Sequence, residues 1–88
     1  MKIQNMENDD GRAIPNQFII NDDEGNTFFQ SYEFTIVKWD KNGKFFLDEF
    51  FWDYSKTTGK YRNRFLNETK KETEQKIKSG EYTLCNLN

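Results

Sequence analysis

The chain has 88 residues, a formal net charge of −2, one cysteine and no histidine. A chain of this length forms a single domain, which buries only about 60–65% of its unfolded surface. A lone cysteine excludes an intramolecular disulfide framework, and the lack of histidine removes the commonest general base and metal ligand. Because there is no signal-like segment and no run of about 18 apolar residues, the sequence predicts a soluble intracellular protein with no membrane partner.

Charge and apolar content are both uneven. Residues 1–53 carry eleven acidic and five basic groups (−6), whereas residues 54–88 carry four acidic and eight basic groups (+4). Only 34% of the residues are hydrophobic, yet 17% are aromatic. A few rings, each able to bury about 150–250 Å², must therefore build the core. Such a core is marginal, so a homodimer or a bound partner can add to its stability.

The N-terminal third contains weak strand signals. Residues 1–13 are polar and without periodicity, which predicts a flexible tail, or alternatively an extended lead-in, before a single domain over residues 14–88. Residues 17–20 have the β-branched and aromatic content of a short strand. An acidic loop follows, and residues 27–31 can pair back as a hairpin.

The strongest element is a hairpin over residues 32–39 and 44–50. Tyr32, Phe34 and Ile36 alternate with polar residues and with Val37, which favours a strand with two different faces. The Asn-Gly pair that ends at Gly43 is typical of a tight hairpin turn.

The C-terminal third predicts helix over residues 56–78, as one bent helix or as two consecutive helices. Ser55 suits an N-cap, Thr69 and Glu72 match a capping box, and Gly80 suits a C-terminal stop. A further short strand follows over residues 82–87. The whole pattern predicts an α+β fold, with a small antiparallel sheet packed by these helices.

A helical wheel divides the first helical segment into two arcs. The apolar arc contains Thr58, Tyr61, Phe65 and Leu66. Arg62 lies near this arc, and its side chain is expected to leave the apolar side at its flank. The opposite arc contains the following polar residues: Lys56, Lys60, Asn63, Arg64 and Asn67.

Catalytic and metal sites have little support. Cys85 has no histidine to activate it and is interpreted as a buried strand residue, and Ser55 is interpreted as a cap. Two carboxylate clusters lack the spacing of a calcium-binding loop and are interpreted as solvated acidic surface: Asp22, Asp23 and Glu24, and Asp48, Glu49 and Asp53. The sequence thus predicts no enzyme, no metal and no cofactor.

Two features suggest binding instead. Lys56, Lys60 and Arg64 recur every four residues with Asn63 and Asn67 beside them, which favours contact with phosphate groups or an acidic protein; the alternative is a solvated helix face. The second feature is adjacent aromatic residues, which cannot all face one core. Among these, Phe50, Phe51 and Trp52 are candidate anchors for a protein interface, which we prefer over base stacking.

Residues 31–66 also carry a family resemblance. Ser31-Tyr32 with Thr35-Ile36, a hairpin, and Trp52-x-Tyr-Ser-x-Thr-Thr-x-Lys-Tyr-x-x-x-Phe-Leu66 resemble a family of small uncharacterised domains encoded by bacteriophages and other mobile elements. The Tyr-Ser-x-Thr-Thr-x-Lys part is specific. A histidine often stands in that family where this chain has Tyr61, so no role for it carries over. The resemblance implies a phage-type accessory protein in the cytoplasm of a bacterial host.

Two hypotheses for function follow. In the first, the protein is a non-catalytic inhibitor or adaptor that binds a host protein, for example an anti-CRISPR protein on a nucleic-acid-handling effector. Its acidic half would then imitate a phosphate backbone while aromatic residues anchor the interface. In the second, it binds DNA or RNA through the basic helix face over residues 56–64.

Overall fold

The computed structural model describes residues 1–88 as one six-stranded sheet with two helices packed against it. The elements in chain order are β1 (Lys2–Glu7), β2 (Ala13–Asn21), β3 (Thr27–Ser31), β4 (Phe34–Trp39), β5 (Phe45–Asp48), α1 (Lys56–Leu66), α2 (Lys70–Ser79) and β6 (Tyr82–Cys85). Strand order follows chain order, and neighbours are antiparallel except for β5 and β6. The α+β prediction is confirmed.

β5 and β6 pair in parallel, and both helices lie between these strands in the chain. A parallel connection needs a crossover of a dozen or more residues, and α1 and α2 supply it. The connection lays both helices on the same face of the sheet. There α1 packs on β3 and α2 on β6, so one face carries the core.

The N-terminal segment is an edge strand, and the prediction of a flexible tail over residues 1–13 is wrong. β1 pairs along β2, with Ile3 opposite Ile20. The turn between the strands is ordered because the Asn8 side chain accepts hydrogen bonds from the N–H groups of Asp10 and Arg12. A polar sequence can form an edge strand since the main chain makes the ladder bonds. Only Met6 of β1 is buried.

The helix boundaries follow the local signals in the sequence. Ser55 caps α1 by accepting from Thr58 N–H, and Thr69 and Glu72 form the capping box of α2. Asn67 has φ 55°, in the left-handed region, and ends α1. The chain therefore forms two helices rather than one bent helix. Neither is long and apolar enough to cross a membrane.

The core lies between the helices and the sheet. Its buried residues are Met6, Ile14, Phe29, Ile36, Val37, Leu47 and Tyr82. Phe65 of α1 stacks on Phe29 with 5.7 Å between ring centroids. A β-bulge opposite Phe29 interrupts the alternation of β4, and as a result the consecutive residues Ile36 and Val37 are both fully buried.

Candidate binding surfaces

The sheet face away from the helices is uncovered. The strand register aligns one residue from each strand in a row across it: Ile3, Ile20, Phe28, Lys38, Phe46 and Thr83. Phe18 lies two residues from Ile20 on β2 and so shares this side. We call this surface the open face. It is formed by strands whose opposite face holds the core.

The apolar side chains of the open face lie outside the core. Ile3 is 60% exposed, and Phe18, Ile20, Phe28 and Phe46 are half-buried. None of these five belongs to the core cluster or packs against it. They therefore form an apolar patch outside the core, crossed by Lys38 between Phe28 and Phe46. Exposed apolar patches of this kind mark interaction surfaces.

Lys38 is the one charged residue in the row. Its Nζ lies 6.0 Å from the ring centroid of Phe28 and 5.8 Å from that of Phe46. Both distances suit cation–π attraction. Lys38 takes part in none of the six ion pairs of the protein. The open face thus presents a positive charge, held between two rings, that lacks a carboxylate.

The predicted aromatic anchors separate from one another in the structure. Phe50 is 70% exposed in the turn after β5. Phe51 instead stacks on Phe34 at 4.0 Å, and Trp52 lies under the guanidinium of Arg62 at 5.2 Å, so both of these serve packing. The aromatic residues of the open face were not among these predicted anchors. The available signal was the adjacent pairs, because neighbours on a strand point to opposite faces.

The predicted basic row is interrupted. Lys56 and Lys60 are exposed and have no carboxylate partner, but Arg64 bends away to the N-terminal hairpin. Its Nη2 donates to the Glu7 carbonyl at 2.7 Å and to the Asp9 carboxylate at 3.2 Å. Asn67 ends the helix in the left-handed conformation, apart from the helix start. A straight row from 56 to 67 is therefore not present.

Arg62 is buried, contrary to the prediction that it leaves at the flank. Its side chain is only 1% exposed. Nη1 donates to the Trp52 carbonyl at 2.6 Å and to Asp53 at 3.2 Å, and Nη2 donates to the Asn63 side-chain oxygen at 3.0 Å. These acceptors, together with the Trp52 ring, replace the water that the guanidinium loses.

A polar cleft surrounds this guanidinium. We call it the basic cleft, and its lining residues are Asp53, Ser55, Lys56, Gly59, Lys60, Arg62, Asn63 and Lys70. Asp53 also accepts from Lys70 Nζ at 2.7 Å. Burial opposes ionisation of Asp53, but its bonds to Lys70 and Arg62 outweigh burial and lower its pKa.

The predicted acidic surface is wrong for Asp48. This side chain is fully buried and accepts four hydrogen bonds, from the N–H groups of Phe50, Phe51 and Leu87 and from the Asn88 amide. Burial raises the pKa of Asp48, but the four bonds outweigh it and hold the pKa below its ordinary value. Asp48 therefore fastens the C-terminus to the end of β5 instead of facing solvent.

The other predicted acids are placed as follows. Asp22 organises the β2–β3 turn by accepting from the Glu24 and Asn26 N–H groups. Asp23 pairs with the N-terminal ammonium, and Glu24 and Glu49 are exposed. No three carboxylate, thiol or imidazole groups lie together as metal ligands would.

Burial, with the nearby charges of Asp48 and Glu49, raises the pKa of the Cys85 thiol. A raised pKa keeps this thiol protonated at neutral pH, and a protonated thiol is a poor nucleophile and a poor metal ligand.

The chain matches one protein family over residues 1–81, which is described as Family of unknown function (DUF8033). Since the match spans nearly all of the chain, the protein belongs to this family. No curated protein and no solved structure matches it.

Proposed function

We propose that this member of a family of unknown function is a non-catalytic binding protein that docks its open face on another protein. The observation that carries the proposal is the apolar patch on the open face, which no element of the chain covers. The molecule measures 35 by 30 Å across its two longest axes. This is wide enough for a standard interface, which buries about 800 Å² on each partner.

The charge of the open face indicates what kind of partner fits it. Desolvating Lys38 without a counter-charge would be costly, so the partner should place a carboxylate opposite it, inside an apolar contact surface. Single-stranded nucleic acid fits less well, because stacking platforms combine aromatic rings with a basic groove. Here the row has one cation, and the β2–β3 turn at the sheet end carries three carboxylates: Asp22, Asp23 and Glu24.

A second copy of the chain is also a poor occupant. Lys38 lies on the fourth of six strands, near the middle of the row. A two-fold axis through the middle of the open face would bring two Lys38 ammoniums together, and no carboxylate in the row could separate them. A different protein with a complementary acid therefore explains the face better than self-association.

The biological setting is part of the proposal and rests on the sequence resemblance over residues 31–66. A phage-type accessory protein would act in the cytoplasm of a bacterial host. There it would inhibit or redirect a host protein, and a defence effector of the CRISPR type is one such target. The interrupted basic row gives less support to the nucleic-acid alternative, because backbone binding uses an extended basic track.

The test compares host proteins captured by matched variants. Phe28→Thr with Phe46→Thr removes two rings of the open face, and Lys38→Glu reverses its charge. Leu84→Thr is the control, since Leu84 is 39% exposed and aligns with core residue Leu47 on the helix-covered side. We expect one protein to be retained by the wild type and by Leu84→Thr, and lost from both open-face variants. Lys38→Arg should retain it.

Two results would contradict the proposal. One is capture of the same proteins by the double Phe variant and by the wild type. The other is a stable dimer in light scattering that Lys38→Glu abolishes, because a second copy would then occupy the open face. Circular dichroism of every variant verifies that the fold is intact.

A further inference from the structure

The basic cleft is a second site, separate from the open face. It lies beside the start of α1, on the helix side of the sheet, and none of its eight lining residues is hydrophobic. Its volume of about 580 Å³ lies within the range of small-molecule pockets, about 300–1,000 Å³. Four of the eight lining residues are Lys or Arg, which suits an anionic ligand.

Positive charge is in excess in the basic cleft. Four cations line it against one carboxylate, Asp53, and that carboxylate already pairs with Arg62 and Lys70. Lys56 and Lys60 have no ion-pair partner in the protein. The cleft therefore has an excess of positive charge between α1 and the start of α2.

Lys56 and Lys60 lie where α1 itself disfavours positive charge, although Lys60 Nζ also lies 5.3 Å from the ring centroid of Tyr61. Lys56 is the first residue of α1, where a positive charge opposes the helix macrodipole, and the first turn has no acidic residue to offset it. Lys60 stands four residues later, and like charges at this spacing repel each other. A bound anion would reverse the sign of both interactions.

Two polar groups at the floor of the cleft also indicate an anion. Arg62 lines the cleft with a side chain that is only 1% exposed, so its guanidinium is a cation fixed by the protein; its Nε has no hydrogen-bond partner and is itself buried. Since the Asn63 oxygen accepts from Arg62, the Asn63 amide nitrogen is left as a donor. These groups are held in place by the protein before any ligand arrives.

Gly59 leaves the wall of the cleft bare. A Cβ there would stand 3.7 Å from Arg62 Nη2 and 3.7 Å from Asp53 Oδ1, which is ordinary contact. The residue lies inside α1 without a positive φ, so neither packing nor backbone geometry requires glycine. Glycine nevertheless weakens a helix relative to alanine. Its use here keeps space open beside the guanidinium.

We propose that the basic cleft binds a compact phosphate anion of the pyrophosphate class. Lys56 and Lys60 would pair with it from α1 and Lys70 from α2, while the Asn63 amide donates a hydrogen bond. The four cations line a single cleft instead of an extended track, and this suits a compact polyanion better than an extended nucleic-acid backbone. Arg62 would add its positive charge to the site while it keeps its hydrogen bonds to Trp52, Asp53 and Asn63.

The experiment is a titration of the isotope-labelled protein with pyrophosphate at low ionic strength, followed by NMR. We expect saturable shifts confined to residues 53–63 and 70, and about tenfold weaker binding for Lys60→Gln. The control is Lys44→Gln, which makes the same charge change at an exposed turn after β4 and should alter affinity less than about twofold. Gly59→Ala should weaken binding while leaving Tm unchanged or higher.

Three results would overturn the proposal. One is the absence of saturable shifts at about 10 mM pyrophosphate, where even a millimolar site is occupied. Another is equal weakening by Lys44→Gln and Lys60→Gln, which would show charge attraction without a site. The third is tighter binding of a short single-stranded oligonucleotide than of pyrophosphate, because the ligand would then be an extended backbone.

Discussion

Replacing Asp48 by asparagine tests whether a buried carboxylate holds the C-terminus to the sheet. Oδ1 of Asp48 accepts from Leu87 N–H at 2.8 Å and from the Asn88 amide at 3.0 Å. Oδ2 accepts from the N–H groups of Phe50 at 3.0 Å and Phe51 at 2.9 Å. Asparagine has one acceptor oxygen, so its NH₂ group must face two of these donors.

The expected loss is about 3–6 kcal/mol of unfolding free energy, since hydrogen bonds to a charged group contribute about 1.5–3 kcal/mol each and two of them are lost. That is a large share of the total for a small domain, which is roughly 5–15 kcal/mol. Urea unfolding followed by the fluorescence of Trp39 and Trp52 measures it. The control is Glu49→Gln at the exposed neighbouring position, which should change stability by less than about 0.5 kcal/mol.

The pH dependence of the unfolding free energy gives an independent check on the role of the Asp48 carboxylate. The pKa of Asp48 in the folded protein is lower than its ordinary 3.8, so its contribution is complete above pH 3.8 and is lost as the pH falls through the folded pKa. The stability difference between the wild type and Asp48→Asn should therefore narrow under strongly acidic conditions. A loss under 1 kcal/mol at neutral pH, or a difference that does not change with acid, would refute this account.

Two further predictions concern buried polar groups on the helix side of the sheet. Gln17 is fully buried with neither amide atom hydrogen-bonded, so Gln17→Met should raise the unfolding free energy by about 1–3 kcal/mol in urea; a loss would show that the amide has a partner. Burial and the hydrogen bond to Glu68 raise the pKa of Tyr82 to about 12, from an ordinary 10.0. The stability that the neutral Tyr82 phenol contributes is therefore complete below pH 10 and is lost as the pH rises through 12. Absorbance titration should show one late-ionising tyrosine that Tyr82→Phe removes, and a titration curve identical in the two proteins would contradict the assignment.

Elements whose signal lies within a few residues could be predicted from the sequence. The Asn-Gly pair gave the β4–β5 turn, with Gly43 at φ 83°. Thr69 and Glu72 gave the start of α2, and Gly80 gave its end. In each case a side chain or a glycine satisfies a nearby backbone group, so the outcome depends little on the rest of the chain.

Elements whose partners are distant could not be predicted in this way. β1 lacks a hydrophobic pattern and exists because the β2 edge offers ladder hydrogen bonds. Arg64 reaches the Glu7 carbonyl across 57 residues, and Asp48 reaches Leu87 across 39. Nothing local distinguishes these two side chains from solvated ones.

The sequence by itself determined the α+β class, the helix starts and most of the strand positions, because these depend on local hydrogen bonding and on the period of apolar residues. Only the tertiary structure decided which side of the sheet is covered. Both helices belong to one crossover connection and lie on the same side, and this leaves Phe28 and Phe46 uncovered with Lys38 between them. It also decided which charges are neutralised, since an ion pair requires two side chains to meet in space. The open face and the basic cleft, where the proposed functions lie, follow from that packing.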